Sequence, residues 1–319
     1  MTDDDVLRLA EYALTAALVL VVVALVCDLV ILTSRRRAPA PGRSAVAAGR
    51  VAPGLGRAAG GDGGPIDDAA GHDPGSAARP PVPPRGLAAY ATAFAVVAAL
   101  LLTGYLVARA SVTGHGPFAN QHEFAVSFTW GILVAYLVAE GRWRMRVLSV
   151  AVLPVAACLL LYAMQLDAGV APLVPALQNN VLLSLHVGFA ILAYGAACVS
   201  FGAAALYLLH PRLRLLSGMS RERLDEVGYR AAMVTFPLLT TMIVLGVIWA
   251  DTAWGRYWGW DPKETAALVT WLIYGAFLHA RVARGWRGER SAWLLVTGFA
   301  AILFAYFGNH FFGGLHSYA

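Results

Sequence analysis

The stretch Trp249–Glu264 reads WADTAWGRYWGWDPKE and lies between two apolar runs, roughly 230–250 and 265–282. Four of the chain's nine tryptophans, together with Tyr257, fall within it. Anchoring a helix at a bilayer surface takes one or two Trp or Tyr per end, so this cluster exceeds an aromatic belt. Gly255 and Gly259 interrupt the aromatics and let the backbone approach a neighbour closely. Asp261 suits a helix N-cap, Pro262 the first helical position and Glu264 the third, which is a capping box with proline at N1. The stretch therefore ends where the next helix begins. Its indoles, Trp249, Trp254, Trp258 and Trp260, are held rigidly at one membrane face. Such a surface suits a broad planar aromatic ligand. Arg256 and Lys263 can meet anionic groups on that ligand's edge or, in the plainer reading, lipid headgroups.

Outward from this stretch the chain is apolar. Of 319 residues, 59% are hydrophobic and 13% charged, about half the charge of a soluble domain. Runs near the 20 residues needed to span a bilayer occur at roughly 7–32, 87–109, 123–140, 146–166, 181–209, 230–250, 265–282 and 291–312. The expected fold is an all-α, polytopic transmembrane bundle of about eight spans. Alternate connections carry arginine clusters: Arg35–Arg37; Arg142, Arg144 and Arg146; Arg212, Arg214, Arg221 and Arg223; and Arg281, Arg284, Arg287 and Arg290. By the positive-inside rule these connections are cytoplasmic. Both termini and the loops 110–122, 167–180 and 251–264 are then extracytoplasmic, in a plasma membrane. Residues 1–33 read as a first, retained transmembrane helix rather than a signal peptide. Residues 34–86, rich in Gly, Ala, Pro and Arg, read as a disordered cytoplasmic linker. The first helix is accordingly expected to be loosely attached to a seven-span body, 87–319. Cys27, Cys158 and Cys198 lie in apolar segments without a CxxC, which excludes a disulfide framework, a zinc site and a thiol relay.

Haem iron takes axial histidines, and topology sorts the eight present. His186 near the outer end of span five and His316 just past span eight share the face of the tryptophan stretch. His279 lies about 22 Å further along span seven than Glu264, in the cytoplasmic half, where an ionisable group is a functional candidate. It cannot ligate the same iron as His186, but it could serve an inner site. A histidine reaching to the inner interface beside Arg281 is the structural alternative. His115 and His122 lie in the first outer loop without further constraint, and His310, about one turn from the outer end of span eight, could support a ligand from behind. His210 and His72 receive no role.

The motifs WGRYWGWDPKE, LHVGFAILAYG and the C-terminal GLHSYA resemble those of the CcsA/ResC family, called CcsB in actinobacteria, over about 87–319. These are haem-handling proteins of system II cytochrome c biogenesis. The resemblance implies that haem b is presented at the Trp-rich segment and ligated there by His186 and His316. It implies an inner haem site at His279, with a ResB/Ccs1-like membrane subunit supplying the other inner ligand. Reduced CxxCH thiols of apocytochrome c then form thioethers with the haem vinyl groups. Two departures stand out. His122 in Asn120–Glu123 replaces an aromatic residue, and His310 stands where asparagine is expected; neither inherits a ligand role.

The resulting expectation is haem presentation and ligation in a possible cytochrome c–haem lyase complex. Chemistry would proceed by positioning, without an acid/base dyad of the chain's own. The alternatives are a haem exporter or system I-type haem handler without ligation activity, and a respiratory subunit with b-type haems. The last requires paired histidines within the bilayer. The expected partners are the ResB/Ccs1-like subunit, apocytochrome c and the lipid bilayer, and no nucleic acid is expected.

Overall fold

The computed structural model describes residues 2–34, 85–170, 173–178, 180–216, 218–308 and 311–316. They form eight helices: α1 (Asp3–Ser34), α2 (Arg85–Thr113), α3 (Gln121–Trp143), α4 (Ser149–Ala163), α5 (Asn180–Leu209), α6 (Arg221–Trp254), α7 (Pro262–Arg284) and α8 (Glu289–Phe307). There is no strand among the described residues. Eight helical segments are long and apolar enough to cross a membrane, the fourth counted from Arg146. The segment read as a linker falls, but for its ends, outside the described residues.

Local chemistry explains the helix ends. The Asn120 side chain accepts from the Glu123 amide at 2.9 Å, while the Glu123 carboxylate accepts from the Ala119 amide at 2.8 Å. At the start of α7 the expected capping box of Asp261 and Glu264 is present, with Pro262 in the first turn. One boundary differs from expectation. α6 continues past residue 250 to Trp254, because its first left-handed residue is Gly255, at φ 68°. The front half of the tryptophan stretch is therefore helix.

α5 is the central element, packed against α3, α4, α6 and α8. It meets α3 at a pair of glycines. A Cβ on Gly131 would stand 2.5 Å from Ile191, and one on Gly195 would overlap the Gly131 carbonyl. Helices in membranes approach this closely only over such small residues.

α1 is not loosely attached, contrary to expectation. It packs along α2 and α4, and its buried Asp28 accepts from Arg146 at 2.9 Å and from the Tyr136 hydroxyl at 3.3 Å. Arg146 also pairs with Glu140 and donates to the Thr92 hydroxyl. This one network ties α1, α2, α3 and the turn before α4. At the opposite end, buried Arg109 pairs with Glu123 at 2.8 Å and donates to the carbonyls of Ala168 and Gly169. That joins the end of α2 to the start of α3 and to the loop which follows α4.

Candidate functional site

The end of the bundle where α5 and α7 begin and α6 and α8 finish is hollowed into a cleft. It encloses about 1260 Å³ of space, its open mouth included. His186, Trp249, Trp254, Tyr257, Trp258, Lys263 and His316 all line it.

Trp249 is the fixed point of this cleft. It is 2% exposed, and its indole N–H donates to the Ala176 carbonyl at 3.2 Å. The His186 ring lies nearly parallel to it, with centroids 6.1 Å apart and planes at 12°. The His316 ring is 5.8 Å from Trp249, tilted at 48°, and meets Trp254 edge-on at 4.8 Å. The two imidazoles are thus within two ring spacings of one another.

Each imidazole is aimed through Nδ1. His186 Nδ1 is 2.8 Å from the Met242 carbonyl, to which it donates. Room for the ring exists because residue 246 is glycine: a Cβ there would stand 2.7 Å from His186 Cε1. His316 Nδ1 is 2.8 Å from Asp261 Oδ2, while the Leu315 amide donates to Oδ1 of the same carboxylate. A side chain at Gly314 would collide with that carboxylate. Asp261 therefore does two things, capping α7 and holding the C-terminal segment in place. Burial alone would raise its pKa. The hydrogen bond and charge of His316, with the amides of Lys263 and Leu315, outweigh burial and hold it at about 2. A histidine whose Nδ1 is held by a carbonyl or carboxylate is in the usual arrangement of a metal ligand, with Nε2 toward the metal.

Not every expected residue meets the cleft. Arg256 and Trp260 are exposed and lie outside its lining, Trp260 at φ 56°. Trp258 faces inward and touches Trp260 edge-on at 5.8 Å. His279 is exposed on α7 and does not line the cleft. His122 is buried with both nitrogens spent, Nδ1 on the Ala163 carbonyl and Nε2 against the Tyr105 hydroxyl. His122 is thus an interior side chain bonded within the bundle. His115 bonds the Gly116 carbonyl in a separate small cavity. His310 is outside the described residues.

Sequence reading missed the glycines that make room, Gly246 and Gly314. It also missed the far wall of the cleft, Phe124, Phe128, Tyr194 and Tyr306. Nothing in a single sequence says which residues face one another across helices, so no signal marked them.

A family model described as "Cytochrome C assembly protein" matches residues 118–316. The chain is 34% identical over 290 residues to "Cytochrome c biogenesis protein CcsA" of Gloeobacter violaceus, covering 71% of this chain and 85% of that one. For the protein so named from Synechococcus sp. (strain RCC307) the values are 37%, 70% and 82%. For that of Nostoc punctiforme they are 34%, 76% and 92%. Among solved structures, "Cytochrome c Heme Lyase CcmF" superposes with a TM-score of 0.60 over 96% of this chain, at 17% identity. The chain spans 47% of that protein's length, and the likeness is one of fold.

Proposed function

The chain belongs to the cytochrome c assembly protein family, as a multi-pass, CcsA-type cytochrome c biogenesis protein, and from that premise we propose that it binds haem in the cleft and presents it for attachment to apocytochrome c. The observation that carries this reading is the pair His186 and His316. Each is oriented through Nδ1, and both flank Trp249 in one cleft. Their Nε2 atoms are the axial ligands for the iron of haem, which is substrate here. The apolar lining and the indoles of Trp254 and Trp258 suit a macrocycle's faces.

The cleft opens on the extracytoplasmic side. This orientation is supported by the arginine clusters, which fall at the opposite helix ends, next to the termini of α3, α5, α6 and α7. Tyr257 and Trp260, 60% and 71% exposed, stand at the mouth as a surface for the apocytochrome segment. There each reduced cysteine thiol adds across one haem vinyl group. A carbon–sulfur bond forms, the vinyl double bond is consumed, and the thiol proton ends on the adjoining carbon, with no net oxidation or reduction. The chain's part is to hold the reactants together and exclude water. His279, exposed on α7, serves an inner haem station whose other ligand comes from a ResB/Ccs1-like subunit. Its exposure supports that reading, since an exposed imidazole inside a span is available to a neighbouring subunit.

The test is to purify the chain with that subunit and record haem spectra of wild type, His186→Ala, His316→Ala and His279→Ala. The outer variants should lose bound haem and regain it with added imidazole. Undiminished haem in all three would overturn the ligand assignments.

A further inference from the structure

Beyond the histidines the cleft has a second compartment. Phe124 and Phe128 of α3, Tyr194 of α5 and Tyr306 of α8 form its wall, and Lys263 of α7 faces it. The rings form one continuous surface. Phe124 stacks on Phe128 at 6.2 Å, Phe128 stacks on Tyr194 at 5.2 Å, and Tyr306 meets Phe128 edge-on at 5.4 Å. The Lys263 ammonium stands 5.5 Å from the centre of the Phe124 ring.

Two residues of this lining carry a hydrogen-bond donor with no acceptor among the described residues. The Tyr306 hydroxyl is buried and has no hydrogen-bond partner among the described residues. Lys263 has the Phe124 face, but no acceptor for its ammonium among the described residues. Three acceptor atoms of the lining already carry bonds. Gln121 Oε1 takes the Tyr162 hydroxyl at 3.1 Å, and Asn120 Oδ1 takes the Glu123 amide at 2.9 Å. Glu264 Oε2 takes the amides of Gly259 and Asp261 at 2.8 and 3.1 Å. Buried donors left unpaired are costly and rare, so a surplus of donors marks a place where a ligand brings the acceptor. Arg256, the other cation of the tryptophan stretch, is exposed and outside the cleft.

We propose that this compartment receives a carboxylate of the bound planar ligand, with Lys263 as its counter-ion and the Tyr306 hydroxyl as a second donor. The proposal rests on the haem reading above and adds an orientation to it. Two axial histidines leave a macrocycle free to rotate about the axis through its metal. A seat for its acidic edge between α3, α7 and α8 removes that freedom, and so fixes which edge faces the mouth.

The test uses the full-length protein in detergent, titrated with ferric protoporphyrin IX and with its dimethyl ester, and followed by the Soret band. Wild type should bind the diacid at least about tenfold more tightly, the value of one hydrogen bond to a charged group. Tyr306→Phe and Lys263→Met should each weaken the diacid about tenfold and leave the ester unchanged, while Lys263→Arg keeps most of the preference. Variants that weaken both porphyrins alike would assign these side chains to packing and overturn the proposal. So would equal wild-type affinity for the two porphyrins, which leaves the histidine reading intact. A preference abolished by Arg256→Ala instead would move the acidic edge to the mouth. Binding of neither porphyrin by wild type overturns both readings together.

Discussion

Gly246 shows how a residue without a side chain can build a site. The His186 ring occupies the place a Cβ would take, 2.7 Å from its Cε1. Alanine in a helix is normally better than glycine by about 0.5–1 kcal/mol, so Gly246→Ala should leave the fold intact or firmer. It should also push the imidazole off the Met242 carbonyl. Loss of such an orienting partner typically costs 10- to 100-fold in metal affinity. We expect haem affinity to fall within about that range while the melting temperature does not, read by Soret titration beside thermal unfolding. A parallel fall in both would mean that Gly246 serves packing alone. Asp261 gives the second prediction. Its folded pKa, about 2, lies below its ordinary value of 3.8, so its contribution to stability is present in full above about pH 4 and is lost as pH falls from there toward 2. In the haem-free protein, tryptophan fluorescence should report the release of His316 from Trp249 and Trp254 within that window. Asp261→Asn should lack this transition; a wild-type transition well above pH 5 would point to another group.

At the scale of elements, α1 is the instructive case. Its composition announces a span, but its attachment was not legible from the sequence. Asp28 is a single acid in an apolar run, and its partner Arg146 looks like one more arginine of a cytoplasmic cluster. Only packing reveals that Asp28 is buried against Arg146 and Tyr136. Breaking a buried ion pair from one side costs up to about 3–5 kcal/mol, and less for Asp28→Ala, because Arg146 keeps its pair with Glu140. It follows that α1 should hold to the bundle without the chain between them. A fragment of residues 1–60, co-expressed with 61–319, should co-purify with it in detergent. Asp28→Ala should abolish that association, and retention of the variant fragment at wild-type level would show that apolar packing with α2 and α4 suffices. The tryptophan stretch teaches the complementary lesson. Its capping box at Asp261–Glu264 was readable because capping is a local pattern. The helical state of Trp249–Trp254 was not, because nothing local separates a helix end from an aromatic loop until Gly255.

At the scale of the whole molecule, what was legible is what the bilayer dictates. Span length and the alternation of arginine-rich connections follow from dehydrating a backbone and from charge at the inner face, and both can be read without any contact being known. The two histidines could be matched to the tryptophan stretch because topology confines them to one end. The far wall of the cleft could not, since it depends on α3 and α8 facing α5. Presentation to an extracytoplasmic apocytochrome depends on sidedness, which a labelling experiment reads directly. In a background with Cys27, Cys158 and Cys198 replaced by serine, single cysteines at Ser111, Ala168 and Tyr257 should react with a membrane-impermeant maleimide in intact cells. Cysteines at Arg142, Arg212 and Arg287 should react only after the membrane is opened. The first three positions lie at the cleft end of the helices and the last three at the arginine-rich end. The reverse labelling pattern would place the cleft in the cytoplasm, where His186 and His316 would receive haem rather than present it, and the proposed direction of haem delivery would have to be inverted.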